Sequence, residues 1–415
     1  MNKLLIALAL FAGIASRPGK ETAFFRSELI FPPQALHNHG SCIVECPNGD
    51  LLTCWYRGHG ERKADDVAIY GSRLRKGSHK WSAPFVMADT PGFPDTNPCL
   101  IIDHQKRLWL FWADILANRW ETALMKYNIS DDYMQREGPP KWKSESVMPL
   151  KPGPEFLKTV KKDMYIQCKP YLDALTGKDK TQLLADMADS LKRANNELDV
   201  RIGWMTRAHP FLFRDPHDPR MIVPLYSDGF NFSMMAITDD GGATWKCSEP
   251  IVGAGDVQPS IAERKDGVLV AFFRNNGPPP AKVFQSESKD RGMTWSLPHL
   301  IDLPDPGAGL EIIVLKSGRW LLVNNDTVND RDSLAVTVSE DEGRTWLFKR
   351  HIEHDVNGPG EGSYAYPSII QASDGTIHVT YSYTPNSENA KREGAGESIK
   401  HVQFNEAWLL EKRPR

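Results

Sequence analysis

One short turn is written three times in the second half of this chain. Its skeleton is Ser/Thr-x-Asp-x-Gly-x-Thr-Trp, and the copies occupy residues 238–245, 288–295 and 339–346. They follow one another at intervals of 50 and 51 residues, a period typical of β-propeller blades. In such a turn the Asp accepts backbone N–H bonds, the Gly adopts a positive φ, and the Trp packs the turn onto its blade. The repeat therefore predicts a propeller, and none of its residues needs a catalytic role.

A broader unit occurs six times and predicts six blades. Each copy is an apolar run, a turn and a second apolar or aromatic run, and four of the turns contain Asn-Gly, Asp-Gly or Ser-Gly, which are hairpin signals. The copies are Cys42–Tyr56, Cys99–Trp112, Phe211–Tyr226, Ile261–Phe273, Ile312–Val323 and Ile369–Tyr383. We therefore expect an all-β fold, a single six-bladed β-propeller over residues 25–405 with four strands in each blade.

The interval between the second and third hairpin units is about one blade too long. The surplus lies near residues 155–200, where apolar residues recur at helical spacing among charged ones. These residues are Leu183, Leu184, Met187, Leu191 and Leu198. We expect one or two amphipathic helices here, inserted between blades 2 and 3 and packed on the rim of the propeller. A role as a lid over the substrate is the alternative.

The first 16 residues predict export. Lys3 precedes an apolar run from Leu4 to Ile14, and small residues follow, which is the pattern of a secretory signal peptide. We therefore expect a secreted or periplasmic protein with no further membrane-spanning segment. The net charge of −3 argues against nucleic acid or an anionic membrane surface as the main partner. The oligomeric state stays open.

The six cysteines show no pattern of metal binding. The chain has no C-x-x-C pair and no Cys/His cluster with zinc spacing. We expect buried thiols, with one disulfide as the alternative in an exported protein. The sequence predicts neither a metal nor a cofactor.

Counting back from the hairpin turns identifies one inner-strand position in each blade. Nine positions before the turn glycine, or in the equivalent neighbourhood, stand His39-Gly40, Asn97, His209, Gln258, Gly309 and Tyr366. The innermost strand of each propeller blade lines the central channel, so we expect these positions to surround one pocket.

Two of these strands resemble those of a known family. Asn97–Asp103 with Leu108–Phe111 looks like the second blade of the sialidase (neuraminidase) superfamily, in its branch with BNR/Asp-box repeats. Tyr366–Ile370 before Ser373–Ile377 looks like the strand that carries the catalytic tyrosine of sialidases. The likeness runs from about residue 29 to residue 402 and implies a six-bladed propeller.

The resemblance also implies a set of catalytic residues. Sialidases use three arginines to hold the substrate carboxylate, an Asp as acid/base, and a Tyr nucleophile polarised by a Glu. Tyr366 matches the nucleophile, which needs activation because the pKa of a free tyrosine is near 10. Arg274 and Arg331 stand where the second and third arginines are expected. Asp65 or Asp66 lies in the loop of the catalytic Asp and could protonate a leaving oxygen if burial raises its pKa.

The position of the polarising glutamate departs from the family's pattern. Gln258 stands there, and glutamine cannot act as a base. Glu311 and Glu361 are the alternative bases, although neither matches a motif.

The position of the first arginine departs as well, because His37-Asn38-His39 stands there. Either Arg57 or Arg207 supplies the missing charge, or the substrate is not sialic acid. His39 could itself be a proton donor near neutral pH, or a structural histidine.

These residues leave three functions open. The first is a secreted exo-glycosidase that hydrolyses a terminal sugar, acidic or linked to an acidic sugar, through a covalent intermediate. The second is a lyase or another hydrolase acting on uronic-acid-containing polysaccharide, with His39 and Tyr366 as acid/base pair. The third is a non-catalytic carbohydrate-binding propeller. The predicted substrate-binding residues are Arg57, Asn97, Arg207, Gln258, Arg274, Glu311 and Arg331.

Overall fold

In the computed structural model, residues 22–143, 145–355 and 361–411 are described. Within these ranges 24 strands form six four-stranded antiparallel sheets, the blades of a propeller. The prediction of a six-bladed β-propeller is therefore confirmed. The signal-peptide prediction for residues 1–16 lies outside the described residues.

The strands follow the chain from blade to blade. The first is β1 (Phe25–Leu29), and blade 1 contains β2 (His37–Glu45), β3 (Leu51–Gly58), β4 (Ala68–Leu74) and β5 (Phe85–Ala88). Blade 2 contains β6 (Asp95–Ile102), β7 (Leu108–Ile115), β8 (Ala123–Ser130) and β9 (Glu145–Val147). Blade 3 contains β10 (Phe211–Leu212), β11 (Met221–Ser227), β12 (Phe232–Thr238) and β13 (Lys246–Cys247).

The second half of the ring is built in the same way. Blade 4 contains β14 (Asp256–Glu263), β15 (Leu269–Asn275), β16 (Lys282–Ser288) and β17 (His299–Pro304). Blade 5 contains β18 (Glu311–Val314), β19 (Trp320–Asn324), β20 (Ser333–Ser339) and β21 (Phe348–His354). Blade 6 contains β22 (Ser363–Gln371), β23 (Ile377–Thr384) and β24 (Ser398–Phe404).

The two ends of the chain close the ring together. Strand β1 pairs antiparallel with β24, from Phe25 opposite Phe404 to Leu29 opposite Lys400, and so becomes the outer strand of blade 6. Without it β24 would expose the backbone groups of an edge strand.

The repeated turns connect the third and fourth strands of blades 3, 4 and 5. In the first copy Asp240 Oδ1 accepts a bond from the Thr244 backbone N–H at 2.8 Å. The Trp packing differs from the prediction. Trp245 lies edge-on against Trp109 and Phe111 of blade 2, with ring centres 6.4 and 6.2 Å away. The Trp therefore joins its turn to the preceding blade, because the blades stack face to face and the turn lies over that neighbour.

Helices fill the long interval between blades 2 and 3, as predicted. They are α1 (Phe156–Ala174), α2 (Gly177–Ala194) and α3 (Glu197–Arg201). Phe156, Val160 and Met164 are the buried residues of α1, and their four-residue spacing places them on one face of the helix. Phe156 contacts the rings of Trp204 and Phe230 on blade 3.

The remaining helices are short: a 3₁₀ turn at Trp120–Thr122, α4 (Ser387–Glu393) and α5 (Glu406–Leu410). No helix of the described residues has the length and apolar character needed to cross a membrane. All six cysteines are free thiols, four of them buried.

Candidate active site

The inner strands share a distortion near one end of the channel. Strands β6, β14 and β22 each shift register around an X-Pro pair, at Asn97, Gln258 and Tyr366. These three residues adopt left-handed φ values of 51°, 56° and 56°, and Gly40 does so at 65° in blade 1. A bulge of this kind redirects a side chain away from the regular alternation of the strand. Repeated around the ring, it collects these side chains in one pocket.

Tyr366 lies at the centre of this pocket. Only 8% of the residue is exposed. Its Oη accepts a hydrogen bond from Arg274 Nη1 at 2.9 Å and another from Gln258 Nε2 at 3.4 Å. The guanidinium carbons of Arg207 and Arg331 lie 5.0 and 5.3 Å from the centre of its ring. Three arginines, from blades 3, 4 and 5, therefore surround one phenol.

This environment favours the ionised form of the phenol. Burial alone would raise the pKa of Tyr366, but the charges of Arg274 and Arg331 and the hydrogen bond from Gln258 lower it below its ordinary value. The phenolate is thus stabilised by donors, without a carboxylate acting as base.

The three guanidiniums lack carboxylate partners. Arg207 Nη2 donates to the Pro367 carbonyl at 2.6 Å, and Arg331 Nη2 donates to the Gly307 carbonyl at 3.0 Å. None of the three forms an ion pair within the described residues, and Nε of both Arg207 and Arg274 has no hydrogen-bond partner there. Buried cationic N–H groups that have no acceptor in the protein are suited to binding an anionic ligand.

Gly309 leaves room beside these groups. A Cβ at this position would lie 2.9 Å from Arg207 Nε, 3.2 Å from Gln258 Oε1 and 3.3 Å from Tyr366 Cδ1. Any side chain at position 309, just before the inner strand of blade 5, would therefore press on the pocket.

His39 belongs to the pocket, but its charge state differs from the prediction. Its ring packs against Tyr366 with centres 4.2 Å apart. Burial, the positive charge of His37 and the nearby arginines hold the pKa of His39 well below its ordinary value. The ring is therefore neutral near pH 7, which contradicts a role as a cationic proton donor.

Asp65 and Asp66 do not reach the pocket. Both are exposed on the rim. Asp65 Oδ1 accepts a bond from Asn118 at 2.9 Å, and Asp66 lies 2.5 Å from His59 Nδ1. Hydrogen bonding to His59 lowers the pKa of Asp66. The expectation of a partly buried carboxyl group in this loop is wrong for both residues, because the loop turns their side chains outward.

Glu61 is the carboxylate that this loop turns inward. Its Oε1 accepts a bond from Tyr56 Oη at 3.1 Å and lies 3.4 Å from His37 Nε2. Burial would raise the pKa of Glu61, but its bond with His37 lowers it to about 2. His37 also pairs with Glu397 at 2.9 Å, and the two carboxylates raise its pKa to about 9 against the effect of burial. Glu61 is therefore a fixed anion and not a proton donor.

Two further residues that were predicted to bind the substrate, Arg57 and Asn97, form hydrogen bonds with protein groups. Arg57 donates to Gln34 at 2.8 Å and stacks on Tyr70, so it is not one of the guanidiniums around the phenol. Asn97 Nδ2 donates to Tyr226 Oη at 3.3 Å. Asn97 therefore orients a second pocket tyrosine.

Comparison with protein families identifies the architecture. The family model of the BNR repeat-like domain matches residues 49–169 and 174–379, well over half of the chain. The chain belongs to the BNR repeat-like domain family.

Solved structures share the fold of this BNR-repeat propeller. A protein of unknown function from Dyadobacter fermentans is 14% identical, with a TM-score of 0.66 over 92% of this chain and 99% of that one. The NanB sialidase of Streptococcus pneumoniae is also 14% identical, with a TM-score of 0.62 over 91% of this chain and 70% of that one. An α-L-arabinanase of Penicillium chrysogenum is 12% identical, with a TM-score of 0.56 over 92% of this chain and 98% of that one. At these identities the likeness concerns the fold alone.

Glu311 has a structural position in this BNR-repeat propeller. Its Oε1 accepts bonds from the backbone N–H and Nδ1 of His209 at 2.7 and 2.8 Å, and its Oε2 accepts one from the Ile369 N–H at 2.8 Å. All the contacts of the carboxylate are thus with the protein. The prediction of a substrate-binding role is therefore not supported.

Glu311 and His209 line a cavity at the end of the inner strands away from Tyr366. Its volume is about 840 Å³, and it opens among the hairpin turns near Lys265 and Lys316. It shares no lining residue with the group around the phenol.

Asp228 is a carboxylate that the sequence analysis did not single out. It follows the last residue of β11, on the turn before β12, and lies two positions beyond the pocket residue Tyr226. One sequence signal points to this residue. Asp228-Gly229 directly follows an apolar strand, at the same end of its blade as Arg274. Within the described residues no group of three or more His, Cys, Asp or Glu side chains could hold a metal ion.

Proposed function

We propose that this chain is an exported exo-glycosidase of the sialidase superfamily that removes a terminal sugar, acidic or linked to an acidic sugar, from a glycan or polysaccharide. The observation that carries the proposal is the 2.9 Å bond from Arg274 Nη1 to the buried phenol of Tyr366, with two further unpaired guanidiniums around its ring. A nucleophile and an anion-binding group thus occupy one pocket at the channel mouth.

Tyr366 is the nucleophile in this proposal. Sialidases polarise their tyrosine with a glutamate, whereas here the neighbour is Gln258, whose amide donates to the phenol oxygen at 3.4 Å. The arginine charges and this donor lower the pKa of Tyr366 and so raise the fraction of phenolate. The phenolate attacks the anomeric carbon, and water then releases the sugar with retention of configuration.

The arginines hold the acidic group of the substrate. Arg207 is 2% exposed, and its guanidinium, 5.0 Å from the centre of the Tyr366 ring, adds its positive charge to the pocket. Two or three guanidiniums can bind a carboxylate through paired hydrogen bonds, which fixes its orientation as well as its charge. Arg207 supplies the cation that is absent at His37–His39.

Hydrolysis of a fluorogenic 4-methylumbelliferyl α-sialoside tests the proposal. We expect release by the wild type, complete loss in Tyr366→Phe, and a 10²- to 10³-fold loss of kcat/KM in Arg274→Met, because a charge-stabilising donor is removed. Tyr165→Phe, an exposed change on α1, is the matched control and should behave as wild type. Full activity in Tyr366→Phe would exclude the tyrosine as nucleophile.

A second candidate is β-elimination on a uronic-acid polysaccharide. The observation in its favour is the neutral His39 packed 4.2 Å from Tyr366, which brings a base and an acid together beside the arginines. Lyase activity would appear as absorbance of an unsaturated uronate, and His39→Ala should abolish it. Measurable glycan binding without turnover in either assay would favour the non-catalytic function instead.

A further inference from the structure

The turn between β11 and β12 brings an unengaged carboxylate to the mouth of the pocket. Asp228 is half-buried and forms no hydrogen bond or ion pair with its side chain among the described residues. The neighbouring carboxylates are occupied: Glu61 by Tyr56 and His37, and Asp305 by the backbone N–H groups of Gly307 and Ala308.

The turn is tied to the arginine that contacts the nucleophile. Asn231 Oδ1 accepts a bond from Asn276 Nδ2 at 2.7 Å, and Asn276 Oδ1 accepts one from Arg274 Nη2 at 3.2 Å. Asp228 directly follows Ser227, the last residue of β11, and lies on the same turn as Asn231. Asp228 therefore lies on a turn that is hydrogen-bonded through Asn276 to Arg274, at the end of the strand that carries Tyr226.

A second carboxylate packs against the same turn. A Cβ on Gly229 would lie 2.9 Å from Glu121 Cγ and 3.2 Å from Arg193 Nη1 of helix α2. Burial raises the pKa of Asp228, Arg274 and Arg62 oppose this shift, and Glu121 and Glu61 add to it, so that the pKa lies above its ordinary value. A carboxyl group whose pKa is raised by its environment is a common proton donor in glycosidases.

We propose that Asp228, and not Asp65 or Asp66, is the proton donor to the leaving group. The inference rests on the proposed hydrolysis. As Tyr366 Oη bonds to the anomeric carbon, the glycosidic C–O bond breaks and the Asp228 proton passes to the departing oxygen. A water molecule then attacks the anomeric carbon, its proton returns to Asp228, and the tyrosine leaves as phenolate. The aglycone accordingly lies over blades 2 and 3, near Arg62 and Trp120, whose side chains stack at 5.0 Å.

Leaving-group dependence distinguishes this role from a structural one. For Asp228→Asn we expect a 10²- to 10⁴-fold lower kcat/KM on 3′-sialyllactose, whose alcohol needs a proton, and a loss below tenfold on the 4-methylumbelliferyl sialoside, whose phenolate leaves without one. The basic limb of the wild-type pH profile should also disappear. Asp302→Asn, a change at a fully exposed site, is the control.

Three outcomes would overturn the inference. They are an equal loss on both substrates, no loss on either, or the leaving-group dependence in Asp65→Asn or Asp66→Asn instead.

Carbon-13 carboxyl NMR gives a readout that does not depend on turnover. The Asp228 resonance, assigned by its absence from Asp228→Asn, should titrate above the ordinary pKa of about 3.9, and Glu121→Gln should move that titration to lower pH. If the wild type cleaves neither sialoside, hydrolysis of sialosides is excluded. In that case titration above the ordinary value still supports a protonated Asp228, and titration at or below it overturns the inference.

Discussion

At the scale of single residues, the pocket is marked by backbone strain. Asn97, Gln258 and Tyr366 all occupy the left-handed region, where each non-glycine residue costs about 1–3 kcal/mol. Each is followed by proline, which has no N–H to donate to the strand ladder. The surrounding sheets hold these conformations in place. Strain repeated at equivalent positions of three blades is a signature of a functional pocket, because no turn or chain end requires it there.

Gly309→Ala should damage activity more than stability. The φ of Gly309 lies outside the left-handed region, so alanine fits the backbone, but its Cβ would press on Arg207 Nε and on the Tyr366 ring. A displacement of a few tenths of an ångström in these groups should lower kcat/KM by about tenfold or more. Steady-state kinetics with urea unfolding checks both quantities. Gly153→Ala, where no atom lies within 4 Å, is the control, and unchanged kinetics in Gly309→Ala would contradict a tightly packed pocket.

The sequence predicted those pocket positions that follow from register. Counting from the hairpin turns located Gln258, Gly309 and Tyr366. This works because side chains alternate along a strand and the turn fixes which residues of the two strands face each other. The sequence-based prediction failed for Asp65 and Asp66, because a loop has no regular alternation from which the direction of a side chain can be read. Their catalytic role was drawn from resemblance, and the loop turned Glu61 inward instead.

At the scale of elements, the repeated turns join blades. Each occupies the end of the third strand, away from Tyr366, and packs its Trp or Gly on the preceding blade. The turns were predicted because their hydrogen bonds are local in sequence. Their contact with the neighbouring blade was not, because it depends on how the sheets stack.

Asp290→Ala should destabilise blade 4 and leave catalysis unchanged. Asp290 accepts bonds from Thr294 N and Oγ1 at 2.9 and 2.6 Å, and these lower its pKa against the effect of burial. We expect a loss of about 1–3 kcal/mol in the free energy of unfolding at pH 7. Because the folded pKa lies below the unfolded one, the difference from wild type should shrink as the pH falls below about 4. A drop in kcat/KM at constant stability would contradict this role.

A buried carboxyl pair in blade 2 makes the opposite prediction. Asp95 and Asp114 both accept a bond from Trp112 Nε1, and burial with the Asp114 carboxylate raises the pKa of Asp95 to about 9. Its raised pKa means that stability is lost as the pH rises from about 4 towards 9, by at most about 1.4 kcal/mol per pH unit. Asp95→Asn removes this ionisable group. Urea unfolding at pH 5, 7 and 8.5 should show the stability of the variant rising relative to that of the wild type. Parallel curves would contradict the raised pKa of Asp95.

At the scale of the whole molecule, a buried ion pair crosses the channel. Glu311 of blade 5 accepts bonds from His209 before blade 3 and from Ile369 of blade 6, while His209 Nε2 lies 2.8 Å from the Ile43 carbonyl of blade 1. Both ring nitrogens of His209 therefore face acceptors, which requires the doubly protonated ring. Burial would lower the pKa of His209, but the charges of Cys42 and Glu311 raise it well above its ordinary value. Four blades are thus joined at one point.

Glu311→Gln should for this reason destabilise the entire propeller. The amide would leave a buried imidazolium without the carboxylate that bonds to it, which costs about 3–5 kcal/mol. Urea unfolding should show one cooperative transition at a lower midpoint, with KM unchanged for the protein that remains folded. Glu263→Gln is a matched control in the same cavity, since its contact with the exposed Arg214 is worth less than about 1 kcal/mol. Wild-type stability with a raised KM would instead make Glu311 a substrate ligand, because only a residue that contacts the sugar would change binding without changing the unfolding of four linked blades.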